Sequence, residues 1–247
     1  MGLKTLIKNT IKMCIPYGIL VFYHRIKKTG KYQEESRLYF SEQGEDILLE
    51  QYLEKKQGFY VDIGAYNPDR VSVTKKFYLQ GWSGINIEPN PVAIKQFIRK
   101  RTRDININMG VADVVSELDF YFLGETSTCN TFDKERYETE YKSRGGGIIK
   151  IKVMPINNIL EKYLPRKQHI DFINIDVENY EMKILKSFDF KKYGPDYFLI
   201  EDLTFTNNDI DFMGFSSSKL YKLMNKNGYI VVAKTHYTIL FKRIRDY

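Results

Sequence analysis

Five carboxylates in this chain fall at or near the ends of short apolar runs. Asp62 lies in FYVDI, Glu88 closes GINIE, Asp176 closes IDFINID, and Glu201 with Asp202 closes DYFLIED. A dinucleotide fingerprint would follow such a first strand with three glycines, so that backbone can approach a pyrophosphate. Here the turn reads GAYNPDR, with Gly64 and then Ala65 but no further glycine. One glycine beside an acid suits an adenosine-type ligand that lacks phosphates and carries a cationic amine. Asp62 would serve the amine directly or through water, and Gly64 would keep a Cβ out of the ligand's space. Glu88 has acceptor capacity for both hydroxyls of a ribose. The plainer alternatives are a capped turn at Asp62 and a solvated acid at Glu88.

Asp176, Glu201 and Asp202 would end two neighbouring strands. Three converging carboxylates repel one another unless a cation or protons intervene. Oxygen donors of this kind suit a divalent cation such as Mg²⁺ or Mn²⁺, which would orient a substrate hydroxyl and lower its pKa. The other reading puts Asp176 beside cofactor and substrate without metal, while Glu201 or Asp202 caps a helix or meets a lysine. Asp176 and His236 are the candidate catalytic groups, His236 as a base in a loop near the C-terminus. Glu178 and Glu181 are expected at the surface or facing substrate. Arg70, Arg136 and Arg144 are candidates to hold a sugar or an anionic group.

These residues need a frame. Buried strands are predicted at 59–63, 84–88, 105–109, 170–176 and 196–202, with further extended runs at 117–122 and 148–154. Helices are predicted at 41–55, 70–80, 91–101, 133–142, 178–187 and 216–226. Asn90-Pro91 supplies a cap and a first-turn proline, and Asn227-Gly228 supplies a stop. YIVVAK at 229–234 and TILFKR at 238–243 read as a closing hairpin. Alternating strands and helices imply an α/β fold: a mostly parallel Rossmann-type sheet with an antiparallel C-terminal hairpin strand. Ligands of such sheets lie beyond the carboxyl ends of the strands.

The 247 residues suffice for one large α/β domain, and 43% hydrophobic with 28% charged content marks a globular chain. Two cysteines argue against a disulfide framework or a thiolate zinc site and fit a reducing cytoplasm. Residues 1–33 hold Lys4, Lys8, Lys12, Arg25, Lys27, Lys28, Lys31 and no acid, which equals the whole net charge of +7. The body at 34–247, expected to be a single domain, is therefore formally neutral, which weighs against nucleic acid as a partner. Within the basic segment, MCIPYGILVFY at 13–23 is shorter than the ~20 apolar residues a spanning helix needs. It would lie on an anionic membrane surface, at the inner face, or pack as a helix on the domain. Residues 124–147, polar and ending in three glycines, are the expected mobile substrate region.

In order and spacing the chain resembles the FkbM family of S-adenosylmethionine-dependent methyltransferases. The pieces are SEQGEDILL at 41–49, FYVDIGAYNPDRVSVTKKFYLQGWSGINIEPNP at 59–91, DININMGVAD at 104–113, TSTCNTF at 126–132 and IDFINIDVENYEMKILKS at 170–187. The resemblance implies a class I methyltransferase-like fold with S-adenosylmethionine as cofactor. It implies a donor site of Asp62, Gly64, Ala65, Glu88 and Pro89, with Asn108, Gly110, Val111 and Asp113 bordering the adenine and Asp176 nearby. Two departures stand out: Asn179 where the family often has glycine, and Tyr66-Asn67-Pro68 in place of a second glycine after the first turn. The implied reaction is O-methylation of a carbohydrate-type, sugar-nucleotide or other small acceptor bearing hydroxyl or phosphate groups, in glycan, capsule or secondary-metabolite synthesis. The competing readings are RNA 2′-O-methylation and a non-catalytic cofactor-binding or membrane-associated scaffold.

Overall fold

Every residue of Phe59–Ile63 (β1) is buried, as expected for a strand covered on both faces. Its alternate side chains enter different cores. Phe59, Val61 and Ile63 pack with Ile159, Ile184 and Phe198. Tyr60 packs on the other face with Phe77, Trp82, Phe172 and Leu240. This is a computed structural model, and it describes residues 38–205 and 212–244. The chain divides into two units, Met1–Leu38 and Tyr39–Tyr247, and both sheets lie in the second. The basic segment 1–33 and its expected membrane contact lie outside the described residues. No helix among the described residues is long and apolar enough to cross a membrane.

The main sheet has seven strands: β1, Ser83–Ile87 (β2), Ile105–Ile107 (β3), Phe172–Ile175 (β7), Tyr197–Glu201 (β8), Tyr229–Lys234 (β9) and Thr238–Arg243 (β10). Their order is β3-β2-β1-β7-β8-β10-β9. Strands β3 to β8 run parallel, and β10 pairs antiparallel with both β8 and β9. The strand order reverses between β1 and β7, which opens a crevice at their carboxyl ends. Helices Glu45–Glu50 (α1), Lys75–Leu79 (α2), Pro91–Lys100 (α3), Lys134–Arg136 (α4), Ile156–Tyr163 (α5), Glu181–Ser187 (α6), Phe190–Tyr193 (α7), Phe212–Ser217 (α8) and Lys219–Lys226 (α9) complete the fold.

Several elements differ from the sequence expectation. Helix α1 is far shorter than 41–55, because Gly44 at φ 84° delays its start. Helix α2 begins only at Lys75: the Asn67 carboxamide oxygen accepts from the Asp69 and Arg70 amides, and Val71 sits at φ 52°. The predicted helix at 133–142 is α4 followed by a π-turn at Tyr137–Tyr141 and a 3₁₀ turn. Helix α5 was not expected, although Ile156, Ile159 and Leu160 show helical spacing and are wholly buried. The extended runs 116–122 (β5) and 147–154 (β6) stay out of the main sheet. With Gly110–Val111 (β4) they form a second sheet in the order β4-β6-β5. Asn90 caps α3 as expected, accepting from the Val92 and Ala93 amides.

Candidate functional site

The first turn is built by backbone contact. The Gly64 and Ala65 amides both donate to the Ile87 carbonyl of β2, at 3.0 and 3.2 Å. Gly64 has φ 82°, and a Cβ on it would lie 1.8 Å from the Asp176 carbonyl oxygen. The glycine is thus required by the approach of the β7 end, where the sequence had suggested the space of a ligand. Ala65 packs on Ile94 and Phe97 of α3.

Asp62 is buried and fully engaged. Its carboxylate accepts from Thr74 Oγ1 at 2.9 Å and from Asn174 Nδ2 at 3.0 Å. Burial raises its pKa, against those two bonds. Glu88 lies at the end of β2 and accepts from the Tyr66 amide at 2.8 Å and the Asn90 amide at 2.7 Å. Burial still pushes its pKa up to about 7, outweighing both backbone donors. Each carboxylate oxygen has a further acceptor direction. Asn108 is exposed and braces this corner from behind, donating to the Glu88 and Pro89 carbonyls at 2.9 Å each.

Asp62, Gly64, Ala65, Glu88, Pro89, Gly110 and Val111 line one cavity of about 270 Å³. Asn108 supports it without lining it, and Asp113 is exposed outside it. A Cβ at Gly110 would strike the Phe132 ring at 2.4 Å. Segment 124–147 contributes Ser127, Thr128, Asn130, Phe132 and Arg136 to the cavity wall. It is tied to the donor corner by Tyr66 Oη donating to the Thr126 carbonyl at 2.8 Å and Asn90 Nδ2 to the Glu125 carbonyl at 3.0 Å.

Also lining this cavity are Asp176, Glu178 and Glu201, whose carboxylate oxygens lie within 4.8 Å of one another. Asp202 is not among them. Its carboxylate turns away and accepts from the Thr204 amide at 2.9 Å and from the Thr204 hydroxyl. Glu178 takes its place because residues 178 and 179 are left-handed, at φ 56° and 83°. Such a turn suits Asn179 better than most residues and explains why glycine serves there too. Glu178 is ion-paired with Arg136, which also meets Glu140. Beside it, Glu181 accepts from the Val177 amide at 3.0 Å, and burial lifts its pKa to about 7.

Asp176 faces water within the cleft, yet protein surrounds it. That enclosure first, and the neighbouring Glu201 charge second, raise its pKa well above the usual range. Burial, with Glu178 and Glu181 beside it, lifts Glu201 to about 8. Glu201 Oε2 is buried with no hydrogen-bond partner among the described residues. With Glu178 committed to Arg136 and Asp202 to Thr204, Asp176 and Glu201 are left as the free donors. That is fewer than the three that the strand ends suggested for a divalent cation, and a shared proton relieves two carboxylates without one.

His236 is exposed and lines a separate shallow depression with Gln43, Gly44, Ile47 and Lys234. Its ring lies edge-on to Tyr237, 4.5 Å away, and it is Tyr237 that reaches the main cavity. The hairpin loop alternates its side chains, so one residue's difference decides which faces the site. Arg70 and Arg144 do not line the cavity either. Sequence reasoning missed Asn174, Thr74 and Glu45 as parts of the site, and expected Glu178 at the surface or facing substrate but not as a member of the carboxylate group. A polar residue inside the apolar run IDFINID was the available signal for Asn174. Glu45 lines the cavity from α1 and accepts from Thr235 Oγ1 at 3.0 Å, a contact across the whole chain that spacing cannot show.

The sequence profile of the family described as Methyltransferase FkbM domain matches residues 62–231, from the acid of β1 into β9. No curated protein matches the chain.

Proposed function

The chain belongs to the FkbM methyltransferase family, and on that premise we propose that it methylates a hydroxyl of a small, carbohydrate-type acceptor with S-adenosylmethionine as donor. The observation that carries this reading is that Glu88 and Asp176 line one and the same cavity. Glu88 immediately follows β2, with both oxygens oriented by backbone amides and directions left for ribose hydroxyls. Asp62, held by Thr74 and Asn174, stands under the turn where the methionine ammonium would be met, directly or through water. Gly110, Val111 and Pro89 would border the adenine.

When bound, S-adenosylmethionine supplies a methyl carbon already activated by its sulfonium sulfur, so alignment contributes much of the rate. The chain's task at the acceptor is to orient a hydroxyl and take its proton. The Asp176–Glu201 pair is suited to that, since a base poised near neutral pH is the most effective. A second reading places a divalent cation, Mg²⁺ or Mn²⁺, between Asp176 and Glu201; the free Glu201 Oε2 favours it. Glycan, capsule or secondary-metabolite building blocks are the acceptors that the family context suggests.

Calorimetry of the purified protein with S-adenosylmethionine, followed by turnover assays against a panel of sugars with and without EDTA, tests the proposal. Binding with a one-to-one stoichiometry and formation of a methyl ether are expected. Absence of donor binding would overturn it, and loss of turnover in EDTA, restored by Mg²⁺ or Mn²⁺, would establish the cation.

A further inference from the structure

We infer that the acceptor enters this cavity without negative charge and that an amine on it strengthens its binding. This rests on the methyl-transfer reading above and narrows it to a substrate class. The donor side of the cavity holds Asp62 and Glu88, and the acceptor side adds Glu42, Glu45, Asp176, Glu178 and Glu201. Arg136 is the only cationic side chain lining the cavity among the described residues. Its guanidinium is already spent on Glu178 and Glu140, and it is largely covered. No lysine or arginine among the described residues pairs with Glu42, Glu45, Asp176 or Glu201.

The distribution of bonds sharpens this excess. Glu45 is buried and accepts from the Thr235 hydroxyl and the Gln43 amide, neutral donors that leave its charge uncompensated. Glu201 Oε2 is buried with no hydrogen-bond partner among the described residues. A phosphate or carboxylate brought against this wall would meet acids on several sides, with no unpaired cationic side chain among the described lining residues to receive it. Recognition of anionic groups commonly uses arginine forks, and the one arginine among the described lining residues is already paired with acids. Neutral hydroxyls can donate to every one of these carboxylates. A protonated amine, with three donors and a positive charge, satisfies Asp176 and Glu201 better than any hydroxyl. Sugar nucleotides, whose diphosphate would have to sit near the acids, fit poorly. An amino sugar or another amine-bearing polyol fits well.

The test uses three probes of one size: glucosamine, glucose and glucose 6-phosphate. Their binding to the full chain is measured at pH 7.5 by ligand-observed NMR, with and without S-adenosylhomocysteine. The expected order of affinity is amine above neutral sugar above phosphate, with at least a tenfold span between first and last. Raising the salt concentration should narrow the span, as screening requires. Glu201→Gln and Asp176→Asn should each reduce the advantage of glucosamine over glucose severalfold. Phosphate binding equal to that of glucose, glucosamine no tighter than glucose, or no binding by glucosamine would each overturn the inference. S-adenosylhomocysteine binding is read in the same samples. Its absence would sink the methyl-transfer reading, whereas the probe ranking in the free protein speaks to charge alone.

Discussion

Gly64 and Asp176 touch through backbone: a methyl group on the Gly64 α-carbon would lie 1.8 Å from the Asp176 carbonyl oxygen. The turn proposed to receive the donor and the strand end proposed to carry the proton acceptor are therefore one packed unit. Gly64→Ala forces both a left-handed alanine and a clash with the Asp176 carbonyl, just past the end of β7. A loss of about 2 kcal/mol or more of stability is expected. Thermal melts should show it, and donor binding should fall with it.

Glu88→Gln replaces one of the two oxygens that accept backbone amides with an NH₂ group, which cannot accept. Donor affinity should drop about 10- to 100-fold, the worth of one or two charge-assisted hydrogen bonds at roughly 1.4–2.8 kcal/mol. Wild-type affinity should also weaken below about pH 7, where Glu88 takes up a proton. The variant should lack that dependence in calorimetric titrations across pH.

Glu201→Gln should leave donor affinity within a few-fold of wild type while lowering kcat about 10²-fold or more, the usual contribution of a general base. Wild-type kcat/KM should rise with pH through the region near 8 where Glu201 loses its proton. A pH–rate profile unchanged in the variant would remove Glu201 from proton transfer.

Arg101 is wholly buried at the end of α3 and donates to the Pro68 and Thr74 carbonyls, Ser72 Oγ and Tyr60 Oη. It fastens the loop between β1 and α2. Arg101→Met strands those acceptors and should cost about 3–5 kcal/mol, as when one member of a buried polar set is removed. Denaturant melts would measure it. Arg101→Lys should recover only part, since an ammonium cannot span the same carbonyls.

Stability should fall as pH rises in the donor-free protein. Glu88 and Glu181 are raised to about 7 and Glu201 to about 8, each from 4.5. A carboxyl whose folded pKa is raised contributes fully below 4.5, and its contribution is lost as pH rises through the folded value. Melting temperature should therefore be higher at pH 6 than at pH 8.5. A bound donor, being cationic, should reduce the difference, because it favours the ionised acids.

The strands were the most legible part of this chain. Runs such as FYVDI, YIVVAK and TILFKR have sharp polar boundaries, and the structure places all three at the residues the sequence indicated. Helices that depend on capping and loop geometry were less legible. Nothing in SEQGEDILLEQ announces that Gly44 turns left-handed, and nothing in NPDRVSV announces that Arg101, in the turn after α3, will claim the loop's carbonyls. Asp62 could be placed at the cavity because it lies within β1, and Glu88, one residue past β2, is held there by the amides of Tyr66 and Asn90. Asp202 and His236 could not, because each lies past a strand end, where a single local hydrogen bond or one step of alternation redirects the side chain. Glu178 could be expected to face substrate, but not to join Asp176 and Glu201, since its position follows from two left-handed residues in succession.

Gly110 and Val111 leave the main body beside Val153 and Met154, paired in parallel. Everything between them, the second sheet and the wall it contributes to the cavity, departs and returns through that narrow neck. An evolving gene could lengthen, trim or replace this excursion without disturbing the crossover from β3 to β7. A chimaera that grafts residues 112–152 from a relative would be the laboratory version of the same experiment, asking whether this excursion alone carries the choice of acceptor.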